Sequence, residues 1–90
     1  MAVCSAVCEY YRISHQELML PARTERIVLA RQVAWFLLRT HYKLSFPAIG
    51  AIFGKDHTTI MHGCRVAPQK AEADELAALS TRVLSTCPQL

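Results

Sequence analysis

The sequence predicts an all-α fold: about six helices in a compact bundle that contains a helix-turn-helix. Three observations predict it. Apolar residues recur at helical spacing from end to end, and nowhere do they alternate with polar ones as a half-buried strand requires. Capping residues and prolines punctuate the chain at intervals that suit short helices. Ninety residues, 52% apolar and 19% charged, suffice for one small core and exclude a TIM barrel or a doubly wound nucleotide domain. Residues 1–90 are therefore expected to form a single domain that buries about two-thirds of its unfolded surface.

Each element follows from local chemistry. Val3, Val7, Cys8 and Tyr11 lie at helical intervals, so a first helix is expected to run to about Arg12. Ser14-His15-Gln16-Glu17 fits a capping box and opens a short second helix that Pro21 ends. Residues 21–24 make a loop carrying Arg23. Thr24 is the expected N-cap of the longest helix, Glu25 to about His41, with Glu25 in its favourable first turn. Ile27, Val28, Ala30, Val33, Ala34, Leu37 and Leu38 form its apolar stripe, with Trp35 and Phe36 at the margins. Arg31, Gln32 and Arg39 fall off that stripe and are expected to be exposed. Ser45-Phe46-Pro47 is the next start signal, a hydroxyl cap followed by a first-turn proline. The helix Pro47–Phe53 ends near Gly54. Asp56 caps a helix from His57 to about Ala67, which Pro68 is expected to terminate. A last helix over 69–86 opens on Glu72, Asp74 and Glu75 and buries Leu76, Leu79, Val83 and Leu84.

The net charge is +3, and its distribution is uneven. Residues 1–20 and 67–90 each carry −1. Residues 21–66 carry +5, from Arg23, Arg26, Arg31, Arg39, Lys43, Lys55 and Arg65 against Glu25 and Asp56. That is where a polyanion would be met. The longest strongly apolar run, Val33–Leu38, is far short of the ~20 residues that cross a bilayer. Because the N-terminus lacks the basic segment of a signal peptide, the chain is expected to stay in the cytoplasm, with Cys4, Cys8, Cys64 and Cys87 as free thiols. Cys4 and Cys8 with His62 or Cys64 make only a weak zinc pattern, since no second close pair follows.

A short helix, a tight turn at Gly54-Lys55 and a second helix of about three turns outline a helix-turn-helix. In that motif the N-terminal residues of the second helix enter the major groove. His57, Ile60, Met61 and Cys64 share a mostly apolar face that is expected to pack. Thr58, Thr59, His62 and Arg65 point elsewhere and carry groups that reach base edges and phosphates. Asp56 and His57 would meet the groove floor first. Asp56 is able to cap the helix, to accept from a cytosine amino group, or both.

The block Gly54-Lys55-Asp56-His57-Thr58-Thr59-Ile60-Met61-His62-Gly63-Cys64-Arg65 resembles the signature of the C-terminal DNA-binding domain (domain IV) of the bacterial replication initiator DnaA. Ala30-Arg31-Gln32-Val33-Ala34 resembles the start of that family's long helix. Ser45-Phe46-Pro47-Ala48-Ile49-Gly50 with Phe53 resembles its first helix-turn-helix element. The resemblance implies a stand-alone domain that binds double-stranded DNA at a DnaA-box-like site. It implies base contacts by Asp56, His57 and Thr58 in the major groove and by Arg23 in the minor groove. It also implies phosphate contacts by Arg31, Gln32, Arg39, Thr59 and His62 and by Pro47 through the main chain; the cationic Lys55 is expected to meet phosphate as well. Departures from the family pattern are a thinned basic loop at residues 21–26, a single glycine before Lys55, and Val66 where a basic residue is frequent.

An enzyme is not expected. His57 and His62 lie five residues apart, about 140° around a helix, and lack the register and glutamate of a zinc-protease helix. Gly50-Ala51-Ile52-Phe53-Gly54-Lys55 superficially resembles a phosphate loop. It has three residues between its glycines where that loop needs four, and Asp56 follows the lysine where Ser or Thr belongs. No catalytic residue, metal, cofactor or ATPase activity is expected. The partners expected are double-stranded DNA and replication or transcription proteins, with no membrane, and the chain is expected to act as a monomer or weak dimer associated with the nucleoid. The role expected is regulation of replication or transcription; the alternative is a protein-interaction module of the same fold that has lost most DNA affinity.

Overall fold

The computed structural model describes residues 2–19 and 24–86. Six helices follow in order: α1 (Ala2–Tyr11), α2 (His15–Met19), α3 (Glu25–His41), α4 (Phe46–Phe53), α5 (His57–Lys70) and α6 (Ala73–Thr86). No strand occurs among the described residues. The expected all-α architecture is thus the one observed.

The long α3 is the axis of the molecule. Its buried residues include Ile27, Ala30, Val33, Ala34, Trp35, Leu37 and Leu38. They face outward in several directions because α1 and α2 cover one side while α4 and α5 cover another, with α5 the most extensive neighbour. α1 buries Val3, Val7, Cys8 and Tyr11 as its spacing requires. It ends with Arg12 in the left-handed region at φ 57°, after which the Ile13 amide donates to the Cys8 carbonyl at 3.0 Å and the Ile13 side chain is buried. This is a helix stop closed by a hydrophobic contact. Both halves of the Ser14 capping box are formed: Ser14 N–H donates to Glu17 Oε1 at 2.9 Å, and Glu17 N–H donates to Ser14 Oγ at 3.0 Å.

Several expectations need correction. Arg31 and Gln32 are buried, at 7% and 8% exposure, Arg31 under α2 and Gln32 beside Gly63 of α5. Arg31 Nε donates to the Leu18 carbonyl at 2.8 Å and Nη2 to the Glu17 carbonyl at 3.4 Å. A five-residue helix leaves its C-terminal carbonyls without internal partners, and the Arg31 guanidinium supplies donors to two of them. Thr24 occupies the N-cap position of α3 without a side-chain bond; its carbonyl takes the first intrahelical bond, from Val28 N–H at 3.0 Å.

Pro68 does not stop α5, which runs through it to Lys70. Proline deletes one amide, the one that would have bonded the Cys64 carbonyl. Burial of Ala67 and Ala71 and the 2.8 Å bond from Ala71 N–H to the Ala67 carbonyl carry the last turn past it. α6 consequently starts at Ala73. Its first turn holds Asp74 and Glu75, and Glu75 Oε1 accepts from the Glu72 amide at 3.3 Å. Leu79 and Val83 are buried and Leu76 half-buried, but Leu84 faces solvent. Tyr11 donates its hydroxyl to Glu75 Oε2, Arg82 lies 3.3 Å from Glu9, and His41 shares a 3.0 Å bond with Ser80. The first two of these links close α6 onto α1. Burial and the Glu75 carboxylate push the Tyr11 phenol up.

α3 and α5 cross with almost no space between them. A Cβ built at Gly63 would overlap the indole ring of Trp35 and come within 3.3 Å of Gln32 Cγ. Gly63→Ala is therefore expected to destabilise by about 1–3 kcal/mol through overpacking, read as a fall in Tm of about 4–8 °C per kcal/mol. An unchanged melting curve would show that the two helices part without cost.

Candidate nucleic-acid interface

α4, the turn and α5 make the helix-turn-helix, and three local devices fix its angle. Ser45 Oγ accepts from Ala48 N–H at 3.2 Å and opens α4 one residue earlier than expected, at Phe46. Gly54 ends it in the left-handed region at φ 65°, a conformation open to glycine at little cost. Gly50 then accepts from Lys55 N–H at 2.8 Å. A side chain at Gly50 would overlap the Lys55 carbonyl oxygen, so the turn folds back tightly onto α4 only because that position is bare. From below, the Trp35 ring meets Phe53 of α4 edge to face, with centroids 6.0 Å apart and planes at 81°. The same ring carries Gly63 of α5. One side chain on α3 thus seats both arms of the motif.

The packed face of α5 differs from the expected one. Ile60, Gly63 and Ala67 are buried and Cys64 half-buried, whereas His57 and Met61 are exposed. The discrepancy has a physical origin. Gly63 carries no side chain and so does not register as apolar, yet it is the point of closest approach, and it turns the packed stripe toward i, i+3, i+7 positions. The outward face then holds His57, Thr58, Met61, His62 and Arg65.

At the start of that face lies a hydrogen-bonded set. Thr58 Oγ1 donates to Asp56 Oδ2 at 2.6 Å, and His57 Nδ1 lies 3.3 Å from Asp56 Oδ1. Asp56 occupies the N-cap position in an extended conformation, but, contrary to expectation, its side chain makes no cap hydrogen bond; its carbonyl takes the first intrahelical bond, from Ile60 N–H at 3.2 Å. The Thr58 hydroxyl, with His57 and the first amides of the helix adding to it, holds the Asp56 carboxyl below its ordinary range against a smaller opposing effect of desolvation. Asp56 is therefore ionised at neutral pH, and its carboxylate remains largely exposed to solvent.

The other expected residues divide into three groups. Thr59, His62 and Pro47 are exposed, and Lys55 is half-buried in the turn. Arg39 is exposed on the last turn of α3 beside the start of α4; its guanidinium lies over the Phe46 ring at 4.5 Å and donates to the Leu44 carbonyl at 3.0 Å. Burial pushes the half-buried Cys64 thiol up, against a smaller lowering by the Arg39 charge. Arg31 and Gln32 lie beneath the surface, as described above. Arg23 falls outside the described residues. Met61 is an outward-facing residue absent from the expected contact set, whereas Arg65, read as outward-facing from the sequence, is exposed as expected. Among the described residues, no helix is long and apolar enough to cross a membrane.

An exposed polar edge at the N-terminus of the second helix, seated on a tight turn, defines a helix-turn-helix protein of the nucleic-acid-binding class. Residues 1–66 match the family described as the bacterial dnaA protein helix-turn-helix. The chain is 43% identical over 74 residues to the chromosomal replication initiator protein DnaA of Thermomicrobium roseum, covering 81% of this chain and 16% of that protein. It is 38% identical over 87 residues to the protein of the same name from Synechocystis, covering 90% and 20%. With the Nostoc protein it shares 38% over 85 residues, covering 93% and 18%. The chain belongs to the bacterial DnaA helix-turn-helix family, and it spans about a fifth or less of the length of these relatives.

The Asp56–Thr58 bond has a direct consequence. A depressed carboxyl pKa means that the link contributes above the ordinary carboxylate range and is lost as pH falls through the lowered value. In Thr58→Val the Asp56 carboxyl is expected to titrate at higher pH than in the parent, followed by carbon-13 NMR of the side-chain carboxyl. An identical titration in both proteins would remove the hydroxyl as the cause.

Proposed function

We propose that this chain binds double-stranded DNA at a DnaA-box-like sequence and regulates replication or transcription by occupying such sites, in the cytoplasm at the nucleoid. The observation that carries this is the Asp56–His57–Thr58 set: three exposed polar side chains, held together at the leading edge of α5, in a chain of the DnaA helix-turn-helix family. An acid in a DNA interface repels unless it is used, and an ionised Asp56 is suited to accept from a cytosine amino group. His57 and Thr58 supply the adjacent contacts to base edges. Arg23 enters the minor groove in this proposal.

Arg39, Lys55, Thr59 and His62 meet phosphates, and the exposed first turn of α4 brings the main chain at Pro47 to the backbone. Arg31 and Gln32 reach phosphate only through the small part of each side chain left exposed, and their larger role is to support α2 and α5. The ninety residues act as one domain that recognises an asymmetric site as a monomer or weak dimer, without ATP hydrolysis. Replication or transcription proteins are its further partners.

The test is binding to a random duplex pool and to a DnaA-box duplex across a salt series, with Thr58→Ala and Lys55→Ala alongside. Affinity is expected to fall steeply with salt. Thr58→Ala is expected to relax base preference at about 1–3 kcal/mol per lost contact, and Lys55→Ala to weaken all duplexes nearly equally. Absence of binding at low salt would overturn the proposal and move the chain to the protein-interaction class.

A further inference from the structure

Two helices carry outward faces of opposite character. α4 has no polar side chain from Phe46 to Phe53, yet it buries only Ile49, Gly50 and Phe53. Its other side shows Ala48, Ala51 and Ile52, which share a face by their i, i+3, i+4 spacing; Ala51 and Ile52 are exposed. Lys43 and Lys55 border that face at its two ends, and no acid lies on it. α6 presents a complementary stripe. Asp74, Ala77, Thr81 and Leu84 recur at helical spacing on the side opposite the buried Leu79 and Val83, with Ala78 beside them, and all five are exposed. The one charge on this stripe is acidic, and Glu72 adds another just before the helix. α6 packs mainly on α1 and has no comparable interface with α4, so a single copy cannot bring its own two faces together.

We infer that the apolar face of α4 on one copy docks on the outward stripe of α6 on a second copy, a head-to-tail contact between identical chains. Charge selects this occupant. A face bordered by Lys43 and Lys55 matches a stripe that opens on Glu72 and Asp74, whereas two α4 faces brought together would oppose like charges. Shape agrees. With the helices antiparallel, Ile52 rests on Ala77 and Ala78 while Leu84 rests on Ala48, a large side chain against small ones at each point. The area is modest: about two turns of helix fall well short of the ~800 Å² per partner of a stable complex. The contact is therefore weak in free solution and gains when copies are held side by side. Because it joins two different patches it does not close on itself, and it generates a row. An asymmetric site repeated in one direction would present successive copies in the orientation such a row needs; this last step alone rests on the DNA-binding proposal. α6 lies beyond residues 1–66 that match the family, so the stripe belongs to this chain's own sequence.

The deciding variants are Ile52→Glu, which spoils only the α4 face, and Leu84→Glu, which spoils only the α6 stripe. Both side chains are exposed, and circular dichroism checks that each variant stays helical; where one does not, Ile52→Gln or Leu84→Gln replaces it. Without DNA, sedimentation velocity at up to about 1 mM is expected to show reversible association of the wild type. Each variant alone is expected to associate at least about tenfold more weakly, as one large apolar side chain leaves the contact. An equimolar mixture of the two is expected to regain association and to stop at dimers, because the first keeps its α6 stripe and the second its α4 face. A wild type that stays monomeric at that concentration, or a mixture no stronger than its parts, would overturn the inference. Leu84→Glu associating as well as the wild type would also overturn it, by showing that α4 pairs with α4. The DNA arm uses duplexes with two copies of the selected sequence, in direct or inverted repeat, at spacings across one helical turn. On a direct repeat the second copy is expected to bind about tenfold more tightly than the first, the ratio of a ~1 mM effective concentration to a ~0.1 mM contact. Ile52→Glu is expected to lose that gain and keep its single-site affinity. An equal gain on inverted repeats would exclude the head-to-tail arrangement. Binding to no duplex, with association in solution intact, would overturn the DNA-binding proposal and leave the contact established.

Discussion

The close crossing of α3 and α5 at Gly63 is the constraint on which the rest of the structure depends. Because Gly63 has no side chain, the Trp35 indole lies directly against the α5 backbone, and the same ring meets Phe53 of α4 edge to face. The two arms of the helix-turn-helix are thus referenced to one rigid aromatic surface, not only to each other. Gly50 does for the turn what Gly63 does for the crossing: its missing Cβ leaves room for the Lys55 carbonyl. Tilt of the second helix and tightness of the turn are both set by positions where a side chain is absent.

On that frame the exposed edge is organised before any ligand arrives. The Thr58 hydroxyl bonded to Asp56 fixes the orientation of a carboxylate that would otherwise rotate. It also leaves that carboxylate charged, since the bond favours the ionised form. An acid at the leading edge of a basic segment has a discriminating effect, because it repels phosphate and tolerates only a donor presented at the right place. The surrounding cations supply attraction that does not depend on sequence. In the proposed complex, attraction and discrimination fall to different side chains, with Arg39 and Lys55 on one side of the division and Asp56, His57 and Thr58 on the other.

Much of this was legible in the residues. Helical spacing placed α1 and α3, the Ser14–Glu17 pair announced α2, and Ser45 and Gly54 bounded α4, because each of these signals is local and its partner lies within a few positions. Thr58, Thr59, His62 and Arg65 were read as outward-facing, and they are exposed. What could not be read was set by tertiary partners. Arg31 looked solvated on a helical wheel, yet it is buried because two carbonyls of a distant short helix require donors. Gly63 carried no apolar signal although it marks the packed face of α5, which is why Met61 was assigned to the core. Pro68 looked like a stop, but the burial of Ala67 and Ala71 outweighs one missing amide.

The attachment of α6 carries a consequence of another kind. Beyond Leu79 and Val83, its links run to Tyr11 and Glu9 on α1 and to His41 at the end of α3, and its main packing partner is α1. It has no comparable interface with α4 or α5. Mechanically, the last helix is a latch on the back of the molecule and not a strut under its front. Its links to α1 and α3 are free to drift, trading thermal endurance against ease of turnover, without altering the spacing of the side chains that face outward from the recognition helix. Thermal stability and the geometry of the outward face are thereby carried by different helices.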